Sequence, residues 1–527
     1  MALVKIARNA VAAKLVDPPR EVASFVNSLL SYQVESSGFG SWSGKSSFYD
    51  VNRHTFPAGF VHVAQAELTK IGHNVHLIQK PIAQPLGPEN PIVDEFGNDN
   101  PDYDYQMKAL RQVEKHGAGI IRVATGGGKS KIAKLIMARY RRMTLFLTTR
   151  GILLYQMKDQ LDDININSGV IGDSQMKVVR GINLGMVQTL VQALEEPQMD
   201  VEMRAVLKSL FGGKNKQNPD DYDDADIEKM ARERFDKKAK RRNAIIKFLS
   251  MVEVVIGEEA HEAGGSSYYE ILKHCKNASI RVALTATPFM RSSAEDNMRL
   301  MAAFGPVLID ISEELLIERG ILAKPYFKFA DVDPHEKLRK SSPYERALKL
   351  GYTDNEHMHA EIIRDCKMAA SLGLPSLLLV GRKNHGDLLR KTLVANGLRF
   401  EFLRGEDDMV NRKKQIQKLV SGELDGIIGT TILDVGVDVP AVGFVGLCGG
   451  GKAEVALRQR VGRGLRAKKT GPNIAFIADY SCNLNNYLRD HQNQRKRIIQ
   501  RTPGFAEGIL ADGQDFDWAM FERPAAA

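Results

Sequence analysis

The chain has 527 residues, 43 % of them hydrophobic and 26 % charged. This length predicts three or four domains, and the composition is that of a globular protein. No apolar run approaches the ~18 residues of a membrane helix, which argues against a span, while a net charge of +9 and a pI near 9.1 are compatible with a polyanionic partner held by salt-dependent contacts.

Residues 1–80 read as a small α+β domain. Residues 4–32 predict a strand, a turn at Asp17-Pro18-Pro19 and a helix, in which Val22, Phe25, Val26, Leu29 and Leu30 recur at helical spacing. That reading accounts for the basic, apolar start of the chain better than a targeting peptide does. Prolines at 81, 85, 88, 91 and 101 among Gly and Asn mark 81–101 as a linker. Residues 102–318 alternate strands and helices, which predicts a doubly wound parallel sheet. A charged insertion spans about 195–249: 220–228 is acidic, 237–247 is basic, and 228–249 is helix-favouring with Met230, Phe235 and Ile245 as sparse apolar anchors. It reads as a solvated helix or as a nucleic-acid contact. A second alternating block runs over 319–480, with strand candidates at 376–380, 426–430, 442–447 and 474–479. The extension 481–527 is polar and basic through Arg501, then brings Phe516, Trp518 and Phe521, aromatics suited to docking on the core. The fold class expected is α/β: two doubly wound parallel-sheet domains in tandem behind the small α+β domain. Cys275, Cys366, Cys448 and Cys482 form neither a zinc pattern nor a disulfide framework, which suits a reducing cytoplasm.

Three motifs carry the chemistry. The apolar run 118–124 predicts a buried strand and 131–140 a helix. Between them Val123-Ala124-Thr125-Gly126-Gly127-Gly128-Lys129-Ser130 has the strand–loop–helix context of a P-loop, although the strict pattern has glycine where Val123 stands. Thr125, Gly126, Gly127 and Gly128 would turn backbone N–H groups to the phosphates, Lys129 would reach the β- and γ-phosphates, and Ser130 would ligate Mg²⁺. An ordinary glycine-rich turn ending in Lys-Ser shares these letters. The strand 252–257 leads into Glu258-Glu259-Ala260-His261, where Glu258 suits magnesium and Glu259 the attacking water; an exposed acidic turn is the plainer alternative. Gln459-Arg460-Val461-Gly462-Arg463-Gly464-Leu465-Arg466 reads as a pair of arginine fingers, with Arg463 and Arg466 reaching the γ-phosphate from the second domain and Gln459 beside the water.

With these motifs in this order, the chain resembles the superfamily 2 helicases of the DEAH type over residues 100–480. The resemblance implies two RecA-like domains that use ATP and Mg²⁺. It implies that Gln106, after Tyr105, contacts adenine, and that Thr285-Ala286-Thr287 is motif III. By the same resemblance Asp438 contacts the ribose. Thr149 and Arg150, Gln188 and Thr189, Arg382 and Lys383, and Thr430 and Thr431 would grip a nucleic-acid backbone. Residues 40–45, 49–53 and 56–60 are similar to the duplex-binding accessory domain of the UvsW-type phage helicases, which makes Trp42, Lys45 and Arg53 candidates for holding duplex. That family unwinds and branch-migrates forks, Holliday junctions and R-loops in recombination, repair and replication, so branched DNA in a host cytoplasm is the implied partner. Two features depart from the pattern: Glu258 stands where the family has Asp, and the charged insertion is long. An RNA helicase, a restriction-type translocase or a weakly hydrolysing, ATP-gated DNA clamp fits the same motifs. His261 is expected to couple domains rather than to ligate a metal, since no second ligand stands at zinc spacing.

Overall fold

The structure, a computed structural model, describes residues 3–34, 44–173, 175–212, 222–261, 266–289, 293–404, 407, 409–430, 442–449, 451, 465, 467–468 and 471–522. They fall into two compact units. One holds residues 1–122 and 130–310, the other 123–129 and 311–527.

The first unit begins with β1 (Leu3–Arg8), β2 (Ala12–Val16), α1 (Arg20–Leu29), β3 (Ser31–Val34), β4 (Gly44–Ser47), β5 (Thr55–Pro57), α2 (Val61–Lys70) and β6 (Asn74–Gln79). Their four-stranded sheet has the order β5-β2-β1-β6, and β3 and β4 form a separate hairpin. Where the sequence predicts one strand before Asp17, the structure has two. The Asn9 carboxamide accepts the N–H groups of Val11 and Ala12, each at 2.8 Å, and so reverses the chain without Gly or Pro. Val22, Val26 and Leu30 close a core with Val4, Ile6, Leu15 and Phe60.

Residues 81–101 cross the surface of the same unit as a pinned strap. Arg139 donates to the Gly87 carbonyl at 2.7 Å, Arg111 to that of Glu89 at 3.0 Å, and Lys131 to that of Gly97 at 2.6 Å. A Cβ at Gly87 would collide with the Ala138 carbonyl, so only glycine permits this approach.

The next domain alternates strands and helices: α3 (Asp104–His116), β7 (Ala118–Val123), α4 (Lys129–Tyr140), β8 (Thr144–Thr148), α5 (Gly151–Asp162), β9 (Ser168–Gly172), β10 (Gln175–Lys177), β11 (Ile182–Met186) and α6 (Val187–Leu194). α7 (Met199–Phe211), α8 (Asp224–Met251), β12 (Val254–Glu258), α9 (Ser266–His274), β13 (Ile280–Thr285), α10 (Ala294–Phe304) and β14 (Val307–Ile311) complete it. The sheet order is β10-β9-β11-β8-β12-β13-β7-β14. β8, β12 and β13 are buried at every residue and are largely apolar, as strands covered on both faces are, with Arg281 the charged exception inside β13. α7 and α8 form the charged insertion and share a small core of Val206, Leu210, Ile227 and Ala231. The small N-terminal domain seats on α10: Ala302 joins its core, Tyr32 Oη donates to Glu295 at 3.1 Å, and a Cβ at Gly59 would collide with the carbonyls of Met301 and Ala302.

The second unit is also α/β. α11 (Glu313–Glu318) precedes β15 (Lys324–Asp331), α12 (Tyr344–Leu348), a π-helical turn (Lys349–Thr353), α13 (Glu356–Ser371), β16 (Ser376–Leu379), α14 (Lys383–Ala395) and β17 (Phe400–Leu403). Then come α15 (Met409–Val420), β18 (Gly426–Gly429), β19 (Phe444–Leu447), β20 (Ile474–Ser481) and the helix Asn486–Gln500. The six strands are all parallel, in the order β15-β20-β19-β16-β18-β17. The aromatic tail docks on this sheet: Phe516 stacks on Phe476 with centroids 4.5 Å apart, and Trp518 meets the same ring edge-on at 5.1 Å. Buried Lys328 bridges Asp365 at 2.7 Å and Asp515 of the tail at 2.8 Å. Among the described residues, no helix is long and apolar enough to cross a membrane.

Candidate functional site

The P-loop is built by its glycines. β7 ends at fully buried Val123, and the Gly127 N–H turns back to the Ala124 carbonyl at 3.0 Å. Gly126 and Gly128 have φ of +92° and +83°, a region that L side chains rarely occupy. Gly127 is constrained by space, since a Cβ there would lie 2.6 Å from Val123 Cγ1. Val123, at the position where the strict pattern has glycine, is therefore the floor under the loop. α4 starts at Lys129, so the N-terminal N–H groups and positive dipole end of a 12-residue helix open directly onto this turn. Three consecutive residues that tolerate no Cβ, followed by a helix N-terminus, fit a polyphosphate.

The carboxylates leave the same edge of the sheet. Glu258 is the last residue of β12 and pairs in register with Leu284 of β13; Leu284 pairs with Ile121 of β7, two residues before the loop begins. Glu258 is 6 % exposed, and its carbonyl accepts the Tyr268 hydroxyl at 2.8 Å. Glu259 is left-handed, with φ +46°, and its N–H is held by the Leu284 carbonyl at 3.0 Å. A non-glycine residue in this region marks local backbone strain of the kind concentrated at functional sites. The Glu259 carboxylate lies 3.4 Å from His261 Nδ1, which in turn lies 2.7 Å from Thr285 Oγ1. Thr285 Oγ1 also accepts the Thr287 N–H at 3.2 Å. The acidic box and Thr285-Ala286-Thr287 are thus one bonded unit on adjacent strands. Among the described residues no cluster of three metal-ligating side chains occurs.

Sequence reasoning missed two links. Thr285 serves as partner to both His261 and Thr287, and Arg122 ties the P-loop strand to its neighbours by donating to Asp310 at 2.7 Å and to the Ala286 carbonyl at 3.3 Å. An arginine inside the run Gly119-Ile120-Ile121-Arg122-Val123 was the available signal.

The backbone-gripping candidates of each unit come together in pairs. Thr149 and Arg150 follow β8, while Gln188 and Thr189 form the first turn of α6 after β11; these strands are parallel neighbours with Thr148 opposite Met186. Arg382 caps α14, Lys383 begins it, and Thr430 follows β18, with Leu379 opposite Gly429. Arg382 is ion-paired with Glu345. Gln106 is buried early in α3, beside buried Tyr105. Lys45 on β4 and Arg53 in the turn before β5 are exposed. Trp42, Thr431, Asp438, Gln459, Arg463 and Arg466 lie outside the described residues.

Comparison with known proteins agrees with this architecture. The family described as type III restriction enzyme, res subunit, matches residues 101–290, and the helicase conserved C-terminal domain matches 363–468. Putative helicase 22 of a Sulfolobus islandicus filamentous virus is 24 % identical over 266 residues, which cover 47 % of this chain and 46 % of that protein. The crystal structure of bacteriophage T4 UvsW is 17 % identical, with 97 % of this chain and 99 % of that one covered at a TM-score of 0.42. The DUF1998 helicase MrfA bound to DNA is 13 % identical, with 80 % and 56 % covered at a TM-score of 0.51. The chain spans less than half the length of the curated relatives it matches. The chain thus carries a domain of the restriction-enzyme res-subunit family followed by a helicase conserved C-terminal domain, the domain order of superfamily 2 helicases.

Proposed function

We propose that this chain is an ATP-driven DNA motor that unwinds or branch-migrates branched DNA. The observation that best supports the motor is the three-glycine cradle whose strand lies two positions from the Glu258–Glu259 edge of one sheet. The observation that supports a branched substrate is the small domain seated on α10 with clearance for no more than a glycine, a rigid mount for exposed Lys45 and Arg53. On this reading residues 1–80 engage duplex, 81–101 link, 102–318 and 319–480 are the motor domains, and 481–527 is an extension of the second.

When bound, ATP would supply the phosphoanhydride bond whose hydrolysis drives the cycle, and Mg²⁺ would offset the charge of its phosphates. Lys129 and the loop N–H groups from Thr125 to Ser130 would neutralise and orient the phosphates; Ser130 and Glu258 would hold the magnesium. Glu259, steadied by His261, orients the attacking water, with Gln459 beside it. Arg463 and Arg466 stabilise charge on the γ-phosphate, a contribution of roughly 10³–10⁵ in rate in other NTPases. Gln106 reads the base and Asp438 the ribose. Thr149, Arg150, Gln188 and Thr189 hold one strand's backbone from the first domain; Arg382, Lys383, Thr430 and Thr431 hold it from the second. Contact with phosphates alone gives little sequence preference. Trp42, Lys45 and Arg53 grip the duplex arm.

The test is steady-state ATP hydrolysis by the wild type and Lys129→Ala with no nucleic acid, single strand, duplex, a four-way junction or RNA. Junction DNA should stimulate most, and Lys129→Ala should abolish turnover. Stimulation by RNA alone would make this an RNA helicase. Equal stimulation by plain duplex and junction would favour a restriction-type translocase, and no turnover with any of them would favour an ATP-gated clamp.

A further inference from the structure

α8 runs for 28 residues, about 42 Å at 1.5 Å per residue, and its charges are sorted along its length. Asp224, Asp226 and Glu228 open it, and both signs mix from Lys229 through Asp236. Beyond it, to Met251, stand Lys237, Lys238, Lys240, Arg241, Arg242 and Lys247 and no carboxylate. The charges are also sorted around the helix. Facing α7, Lys238 and Arg234 pair with Glu202, which is 1 % exposed, and Arg242 Nε donates to the Leu194 carbonyl at 2.9 Å. Lys237, Lys240, Arg241 and Lys247 are exposed, and their side chains bond to no described residue. At 3.6 residues per turn these four occupy an arc of about 120°; the packed line Ile227, Ala231, Ile245 and Leu249 lies outside it, and buried Phe248 enters it only in the last turn, beyond Lys247. Like charges three and four positions apart destabilise a helix by ~0.2–0.5 kcal/mol per pair. A face kept merely for solvation would mix signs, as the first half of α8 does. On neighbouring α9 the His274 imidazole is held below its ordinary value by burial first, against the opposing pull of Glu270, with Arg242, Lys276 and Lys273 lowering it further.

We infer that this basic face at the root of α8 is a docking surface for the phosphate backbone of duplex DNA, an inference that rests on the DNA-motor reading. Duplex DNA carries one charge per ~1.7 Å of axis, and the ~15 Å from Lys237 to Lys247 spans several phosphates. A protein partner would need an apolar or aromatic centre. The arc from Lys237 to Lys247 offers none, with Ala244 its only apolar exposed residue. The segregation also fixes the place: the acidic start of α8 would repel DNA, so the duplex lies at the root. There Ile245, Phe248, Leu249 and Val252 enter the same core as Val255 of β12, the strand that ends at Glu258. A duplex held on α8 is thereby joined through one helix to the carboxylates of the ATP site.

The test uses the full chain with Lys237, Lys240, Arg241 and Lys247 each replaced by Gln, which keeps helix propensity and disturbs no packed residue. Blunt duplex binding is measured by fluorescence anisotropy between about 50 and 200 mM salt, where each phosphate contact adds ~0.9 to the slope of log K against log salt. The slope should fall by about 2–4 and the low-salt Kd should rise at least tenfold, with circular dichroism and thermal unfolding unchanged. A control, Lys229→Gln with Arg232→Gln in the first half of α8, should keep the wild-type slope. A wild-type slope in the fourfold variant, or an equal fall in the control, would overturn the assignment. The two readings fail separately: a wild type whose ATP turnover no DNA stimulates would end the motor reading, while the difference in slope would still report on this face.

Discussion

Gly127→Ala tests the phosphate cradle with one methyl group. The new Cβ would lie 2.6 Å from Val123 Cγ1, 3.0 Å from Leu316 Cδ1 and 3.2 Å from the Ala124 carbonyl oxygen. Ordinary contact begins near 3.4 Å, so the loop or its floor must yield by about 0.8 Å. Leu316 can swing its terminal methyl. Val123 cannot move easily: it is fully buried, β-branched and the last residue of β7. Overpacking of this kind costs ~1–3 kcal/mol. Expressed at the loop, that is a loss of about 5- to 150-fold in ATP affinity, at 1.4 kcal/mol per decade. Val123→Ala removes the colliding Cγ1 and keeps the strand, so the double variant should recover at least ~1 kcal/mol of the loss, the coupling expected of residues in contact. Calorimetric titration of ATP into the four proteins of the cycle reads this directly. ATP affinity in Gly127→Ala within twofold of wild type would show that Val123 does not floor the loop. A strictly additive double variant would refute the proposed contact.

Three further perturbations probe the rest of the site. Glu259→Gln should lower ATP turnover by about 10²–10⁴ while ATP still binds; Glu258→Asp should lower the Mg²⁺ concentration needed for half-maximal turnover, because a shorter side chain meets near-octahedral geometry without folding back. A higher Mg²⁺ requirement in Glu258→Asp would count against Glu258 as the magnesium residue. Thr285→Val keeps the shape but removes the oxygen that serves His261 and the Thr287 N–H, a cost of ~1–3 kcal/mol. DNA unwinding should fall further than ATP turnover, and an equal fall in both would refute a coupling role. In the second unit, burial first and then the stacked His359 push His385 down to about 3, from the ordinary 6.5. The folded chain then binds fewer protons than the unfolded one. This contribution is complete above pH 6.5 and is lost as pH falls from there toward 3, at up to ~1.4 kcal/mol per pH unit. His385→Gln should flatten the decline of the unfolding midpoint between pH 7 and 5, and an unchanged slope would remove His385 from the account.

The local build of the candidate phosphate loop was legible because such a turn restricts residue type within a few positions: three residues without a Cβ, then a lysine, at a helix start. The strands were legible in proportion to their burial. In the second unit the four strands read from sequence, β16, β18, β19 and β20, are the four inner strands of the sheet, and the two unread, β15 and β17, are its edges. Inner strands are largely apolar because helices cover both faces, β20 departing from this only at its end, from Asp479. β15, Lys-Pro-Tyr-Phe-Lys-Phe-Ala-Asp, carries charges that a sequence reading gives to solvent, yet Lys328 is buried against Asp365 and Asp515.

The same blindness to partners governs the insertion. Arg234, Lys238, Lys240 and Arg241 look alike in a line of sequence, and one reading has to cover them all. Folding separates them: Glu202, brought in from a different helix, takes the first two, and nothing described takes the others. What sequence gives for such a segment is the sum of its charges; what decides function is which of them the fold has already neutralised. The cations left over are the ones available to a phosphate backbone.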